Sequence, residues 1–327
     1  MKKKIYTFAL ILSVTTILLY FVWEKAANIQ KQALKEYLNS EWSVILGDET
    51  ITIDGFPLTF SITVSDFQSP IRNTLLKLQF SKLEIVRLIY DFSDVILFSK
   101  NPKVTSLGDP KFNSSSNKLK ISISEKPFSG KFKLITEQED WQISNGRKLQ
   151  KIYAKKIIFA LKDFDETKLE FYLKVNHFES NFLDKILEKN SSVPNEVILR
   201  GKILNTFIDK KKSFFKGIEF DWIELEHLDI NIGFIKLSCD DKVAIDLFNL
   251  SSEDQVDCLL RLTSQDIFKI KSGNKSIQNI LDLVNIIFIL QNKENISDIK
   301  PIPLNFGLNR GLLHINRIPV YQFPTIR

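Results

Sequence analysis

The chain has 327 residues, 44% of them hydrophobic and 26% charged, with a net charge of +6. Lysines interleave with acids along the whole length, so the charge belongs to a solvated surface and not to a nucleic-acid footprint, and the apolar content excludes a mainly disordered chain. With 26 Phe against 11 Gly and a single Met, the composition leans toward strand formers.

Ile5 to Trp23 carries no charge and is bracketed by Lys2, Lys3 and Lys4 on one side and Glu24 and Lys25 on the other. At about 1.5 Å per residue it makes a helix of roughly 28 Å, close to a bilayer's hydrocarbon thickness. No small-x-small cleavage pattern follows it, and Tyr20, Phe21 and Trp23 suit the far membrane interface. The expectation is an uncleaved signal anchor over 1–23, its N-terminus held in the cytoplasm by the lysines, with the remaining residues across the membrane.

Residues 24–40 lack Pro and Gly and place Ala26, Ile29, Ala33, Leu34, Tyr37 and Leu38 on one loose face, which predicts a stalk helix or a helix packed on the first strands. From 41 onward the period becomes two. Trp42 to Leu46 and Thr50 to Ile53 read as short strands. Leu58 to Ser65 alternates strictly, with Leu58, Phe60, Ile62 and Val64 on one face. The rhythm returns at Leu76 to Phe80, Leu119 to Ile123, Phe132 to Leu134, Leu169 to Val175, Val243 to Leu247 and Cys258 to Leu262, between short polar turns. In Trp222 to Ile232 the apolar set slips from Ile223/Leu225 to Leu228/Ile230/Ile232, as a bulge near His227 would produce. Two helices interrupt the strands, Glu179 to Lys189 and the more apolar Ser276 to Leu290, the second read as lying against the sheet. A seam at 190–194 could divide two β-rich halves. The fold expected is mainly β: a membrane helix, then a large curved antiparallel sheet over 41–327 with two covering helices.

Chemistry-bearing motifs are scarce. The chain has no G-x-S-x-G, P-loop, dinucleotide or H-E-x-x-H pattern, and His177, His227 and His314 stand far apart within strand patterns. No metal site, cofactor or catalytic residue is expected. Glu224 and Glu226 share a strand face, which an ordinary polar surface explains. Lys211, Lys212, Phe214 and Phe215 pair basic and aromatic residues that could touch anionic headgroups. Cys239 and Cys258 flank one strand pair; a disulfide and two free buried thiols are both compatible with that placement.

Three stretches resemble an uncharacterised alphaproteobacterial envelope family, domain of unknown function 2125. They are Gly55-Phe56-Pro57-Leu58 entering an alternating strand, Asp229 to Leu247 with Gly233 between paired strands, and Leu308 to Ile315 followed by Ile318-Pro319-Val320 and Phe323-Pro324. The likeness runs from about residue 45 to the C-terminus and is weak between 85 and 195; the glycines common in the family near Glu253 to Val256 are missing. It implies a single-anchor periplasmic protein and brings no catalytic residues.

A long sheet with one apolar face must cover it, and few helices are on offer. The reading is therefore a non-enzymatic envelope protein binding or transferring a lipid or other hydrophobic ligand in an apolar groove, a layout similar to the AsmA-like and lipid-chaperone class. Phe60, Ile62, Phe171 and Leu173 are the candidate lining, with Leu281, Val284 and Phe288 of the 276–290 helix at the mouth. The alternative is an inner-membrane scaffold with a packed sheet and no ligand. Expected partners are the membrane and a lipid, and no nucleic acid.

Overall fold

A computed structural model describes residues 2–42, 50–56, 59–71, 76–88, 93–107, 112–125, 132–145, 150–165, 168–180, 195–204, 207–208, 218–219, 222–232, 235–246, 251–252, 255–262, 282, 286 and 301–322. They form two compact units, Met1–Leu149 and Gln150–Arg327. The 190–194 stretch lies outside the described residues.

Unit 1 opens with one helix, α1 (Lys2–Trp42), which runs without a break through both the uncharged stretch and the residues expected as a stalk. Trp42, expected to begin a strand, instead ends this helix, because the helix formers of 24–40 continue up to it without a Gly or Pro. Among the described residues eight strands follow: β1 (Ile51–Asp54), β2 (Thr59–Ile71), β3 (Leu76–Leu88), β4 (Asp94–Lys100), β5 (Lys103–Ser106), β6 (Phe112–Ser115), β7 (Lys118–Glu125) and β8 (Phe132–Asn145). Every pairing is antiparallel. β2 lies between β1 and β3; β4 and β5 share the far edge of β3, and β7 and β6 continue them to β8.

In β2 the alternation predicted for Leu58 to Ser65 holds where it is described: Phe60, Ile62 and Val64 are buried and Ser61, Thr63 and Ser65 less so. At Asp66 the backbone turns left-handed (φ 52°) and the phase shifts, so Phe67 and Ser69 are the next buried side chains. The core of the unit joins Ile51, Ile62, Val64 and Phe67 to Leu38 of α1, with Leu34, Leu78 and Ile85 packed around them. Trp23, Ala27, Leu34 and Leu38 recur at spacings of four, seven and four, which is one helix stripe. Unit 1 is thus a sheet with a helix on its first hairpin.

The described strands of unit 2 are β9 (Gln150–Asp165), β10 (Lys168–Ser180), β11 (Glu196–Leu204), β12 (Phe207–Ile208), β13 (Ile218–Glu219), β14 (Trp222–Ile232), β15 (Ile235–Cys239), β16 (Val243–Asp246), β17 (Ser251–Ser252), β18 (Val256–Leu262), β19 (Ile302–Asn309), β20 (Leu312–Ile315) and β21 (Ile318–Gln322). Among the described residues β12 and β13 pair only with each other; the rest runs antiparallel from β9 through β10, β11 and β14, then through β15 and β18 to β19, β20 and β21. β16 continues the line of β15 along β14, with β17 beyond it.

Glu179 and Ser180, expected to start a helix, instead extend β10, because Tyr153 and Ile152 of β9 stand opposite and supply the ladder. The rest of that expected helix lies outside the described residues. Of the helix expected over 276–290, Asp282 and Ile286 are described; both are helical and exposed. A mainly β chain with one N-terminal helix and extensive antiparallel sheet is what the alternation predicted.

Candidate functional site

One bulge organises unit 2. Along β11 and β14, Arg200 faces His227 and the next residue, Gly201, faces Leu225, so Glu226 is the extra residue of β14. An extra residue exchanges the faces of a strand. Leu225 and Leu228, three apart, therefore line the same cavity. The slip legible in the sequence near His227 is this bulge.

β15 and β16 pair with β14 on either side of the bulge: Leu228 faces Cys239, Leu225 faces Val243, and the bend 240–242 passes opposite Glu226 and His227. On one side of this bend the surface is charged. Lys202 Nζ donates to Glu226 at 2.6 Å and stands 3.9 Å from Glu224, while Lys242 lies 3.3 Å and 3.8 Å from the same two carboxylates. The Lys202 ammonium holds the Glu226 carboxyl below the usual carboxylate range, with Lys242 assisting and partial burial opposing. Glu226 in turn holds Lys202 above the usual ammonium range. His227 bridges Asp240 (Nδ1, 2.6 Å) and Asp229 (Nε2, 3.2 Å), which ties the bend to β14. Glu224 and Glu226, which share a strand face in the sequence, thus each stand within 4 Å of both Lys202 and Lys242.

The other side is wholly apolar. A partly open cavity of about 240 Å³ is bounded by Leu225 and Leu228 of β14, Leu237 and Cys239 of β15, Val243 and Ile245 of β16, Val256 and Cys258 of β18, Phe306, Gly307 and Leu308 of β19, and Leu313 of β20. Cys239 and Cys258 stand opposite each other across β15 and β18 and are joined by a disulfide, both sulfur-bearing residues buried in the cavity wall. Walls of aliphatic and aromatic carbon with two sulfurs take up apolar groups by dispersion and by release of water. An apolar cavity of about 150 Å³ already holds a benzene ring, whereas enclosing a drug-sized molecule takes about 300 Å³ or more. This one therefore fits the end of a hydrocarbon chain or a single ring system.

The other expected site residues lie elsewhere. Phe60 and Ile62 are buried in unit 1 beneath α1, Phe60 stacked on Trp23 at 5.8 Å between ring centres. Phe171 is buried in unit 2, its ring over Gly201, and Leu173 is half-buried between Phe159 and Leu199 on the neighbouring strands. None of the four lines the cavity. Leu281, Val284 and Phe288, and Lys211, Lys212, Phe214 and Phe215, lie outside the described residues. Among the described residues no group of three or more His, Cys, Asp or Glu is placed to hold a metal ion.

No family model, curated protein or solved structure matches the chain. Leu237, Val256 and Phe306 were the lining residues hardest to reach from sequence. Alternation marks each as inward-facing, but it does not say which inward faces meet around a space and which meet around each other.

Proposed function

We propose that this chain is a membrane-anchored envelope protein, non-enzymatic, whose second unit receives the apolar end of a lipid or a similar hydrophobic ligand. The observation that carries the binding role is the cavity of about 240 Å³ with no polar side chain among its lining residues. A fully packed sheet would have no such space. The lining offers nothing to fix a headgroup, so the ligand's polar part stays at the open side.

The anchor rests on α1. Its residues Leu12, Ile17, Leu18, Phe21 and Val22 are 55–69% exposed and point to all sides of the helix, so no protein surface covers them. A helix apolar all round belongs in protein or in lipid. Among the described residues no helix is long and apolar enough to cross a membrane, and the side chains of 2–11, which include much of the uncharged run, are not among those described. Lys2 to Lys4 favour a cytoplasmic N-terminus and a single pass of the inner membrane, leaving both units in the periplasm. The Cys239–Cys258 disulfide supports an oxidising compartment. Kinship with domain of unknown function 2125 belongs to the same proposal. Its support is that the strands β14 and β15 do pair around residues 233–234, and that β19, β20 and β21 form successive hairpins.

The test is to isolate the full chain in mild detergent and analyse bound lipid by mass spectrometry, beside Leu237→Trp, which puts a larger ring into the cavity. Lipid held by the parent and lost from Leu237→Trp is the expected result. An unliganded parent that also takes up no fluorescent fatty-acid analogue would overturn the reading in favour of an envelope scaffold. The feature favouring that second reading is β21, which pairs on one side with β20 and exposes Ile318 (47%).

A further inference from the structure

Where the uncharged run of α1 ends, the helix is clasped by the first hairpin of unit 1. Trp23 lies flat on Phe60 (ring centres 5.8 Å apart, planes 9° apart) and meets Phe56 edge-on at 5.8 Å. Tyr20, one turn earlier, reaches the same Phe56 at 5.5 Å. The Trp23 indole N–H also donates to the Thr59 carbonyl at 3.3 Å. The turn that carries Phe56 is itself fixed: the Thr59 N–H and hydroxyl both donate to the Gly55 carbonyl, at 2.9 Å and 3.0 Å. Gly55 has φ +104°, where a side chain would be strained and would collide with Thr59. Phe56 is therefore held level with the last turn of the uncharged run.

The surroundings grade sharply along α1 at this level. Toward the N-terminus Phe21 and Val22 are 61% and 69% exposed; toward the C-terminus Glu24 and Lys25 come next, then Ala27 is buried and Leu34 and Leu38 pack onto β1 and β2. Aromatic rings with a polar handle collect at such a boundary, with the ring at the acyl edge and the handle at the headgroups. Here Tyr20 and Trp23 of the helix meet Phe56 and Phe60 of the hairpin.

We propose that the Gly55–Phe56 turn sits in the headgroup–acyl boundary of the bilayer. Unit 1 then rests on the membrane by the tip of its first hairpin, with the body of β2 leading away, and does not swing on a free stalk. The partner is a lipid surface, and the clasp fixes the angle at which the unit meets it. This rests on the anchor reading above.

The full chain in phosphatidylethanolamine/phosphatidylglycerol vesicles tests it. One variant carries Phe56→Trp with Trp23, Trp42, Trp141 and Trp222 changed to Phe; a control carries Gln68→Trp in the same background, with position 68 exposed about 30 Å further along β2. The probe at 56 is expected to be quenched by lipids brominated near the headgroup, and that at 68 by none. Because the background changes could impair folding, Asp54→Cys and Gln68→Cys, labelled with a polarity-sensitive dye in the otherwise native chain, give a second measurement. The dye at 54 is expected to shift to shorter wavelength on vesicle binding and that at 68 to stay unshifted. If the protein survives an alkaline wash of the vesicles while both tip probes behave like those at 68, the hairpin contact is overturned and the anchor stands. If the protein washes off, both are overturned.

Discussion

Gly201 of β11 stands beside the bulge of β14. A Cβ there would meet the Glu224 carbonyl, which is backbone and cannot give, and the Phe171 ring at 2.8 Å. Gly201→Ala must therefore displace Phe171 or part the two strands, and it is expected to cost roughly 1–3 kcal/mol in denaturant unfolding. Gly307→Ala is the contrast: its nearest neighbour is the flexible Gln255 side chain at 3.4 Å, and it should stay within about 1 kcal/mol of the parent. On the charged side of the same bulge the sign of the pH dependence can be worked out. The folded pKa of Glu226 is depressed by Lys202, so the stability it adds is complete above the ordinary carboxylate value of about 4.3 and is lost as pH falls through the lower folded value. Lys202 is raised, so its contribution is present through neutral pH and fails only on the alkaline side, as pH rises through its folded value. Glu226→Gln should consequently melt lower than the parent at pH 7, with the gap closing as both are taken to pH 3. A gap of constant size across that range would mean packing, not attraction between charges, is what the substitution removes.

Helix α1 and the β15–β18 pair are the two elements whose docking can be tested alone. Trp23→Ala removes the stack on Phe60 and the hydrogen bond to Thr59 together, and should lower stability by roughly 1–3 kcal/mol, read as loss of protection of the 23–38 amides in hydrogen exchange. Cys239 and Cys258 are 19 apart in sequence, and joining ends that distant contributes about 3 kcal/mol. The Cys239→Ala/Cys258→Ala double variant should lose about that much, and the parent should migrate differently on a gel with and without reductant. Strands were legible at this scale because burial on one face writes a two-residue rhythm, and even the Glu226 bulge left its mark as a slip in that rhythm. The docking of α1 was half legible. Leu34 and Leu38 advertise a buried stripe, but the partner of a stripe is chosen by tertiary contact, and the alternation of Phe60 and Ile62 marks a buried face without saying that a helix lies on it. Trp42 misled for a related reason: a bulky aromatic favours strands weakly, and the helix preceding it decided its state.

For the whole molecule, what separates a ligand carrier from a scaffold is whether its interior is full, which hydrophobic patterning leaves open. Val64 in unit 1 and Val256 in unit 2 look alike in sequence, each in an alternating strand and each buried in the structure (0% and 8% exposed). Their surroundings differ. Val64 is fully buried among Leu38, Ile51, Ile62 and Phe67, while Val256 borders the cavity of about 240 Å³. Adding one methylene to each separates the two cases. Val64→Ile must press the added methylene against the side chains that bury it completely and should cost roughly 1–3 kcal/mol through displaced neighbours. Val256→Ile extends into empty space and should be neutral or gain up to about 0.8 kcal/mol, the value of one buried methylene. The same variant narrows the space left for a guest, so its uptake of a fluorescent fatty-acid analogue should fall even as its stability holds or rises. Stability and uptake moving in opposite directions at 256 is the signature of a cavity kept for a ligand. If Val256→Ile is as destabilising as Val64→Ile, the second unit is as tightly packed as the first and the lipid-binding reading has lost its footing.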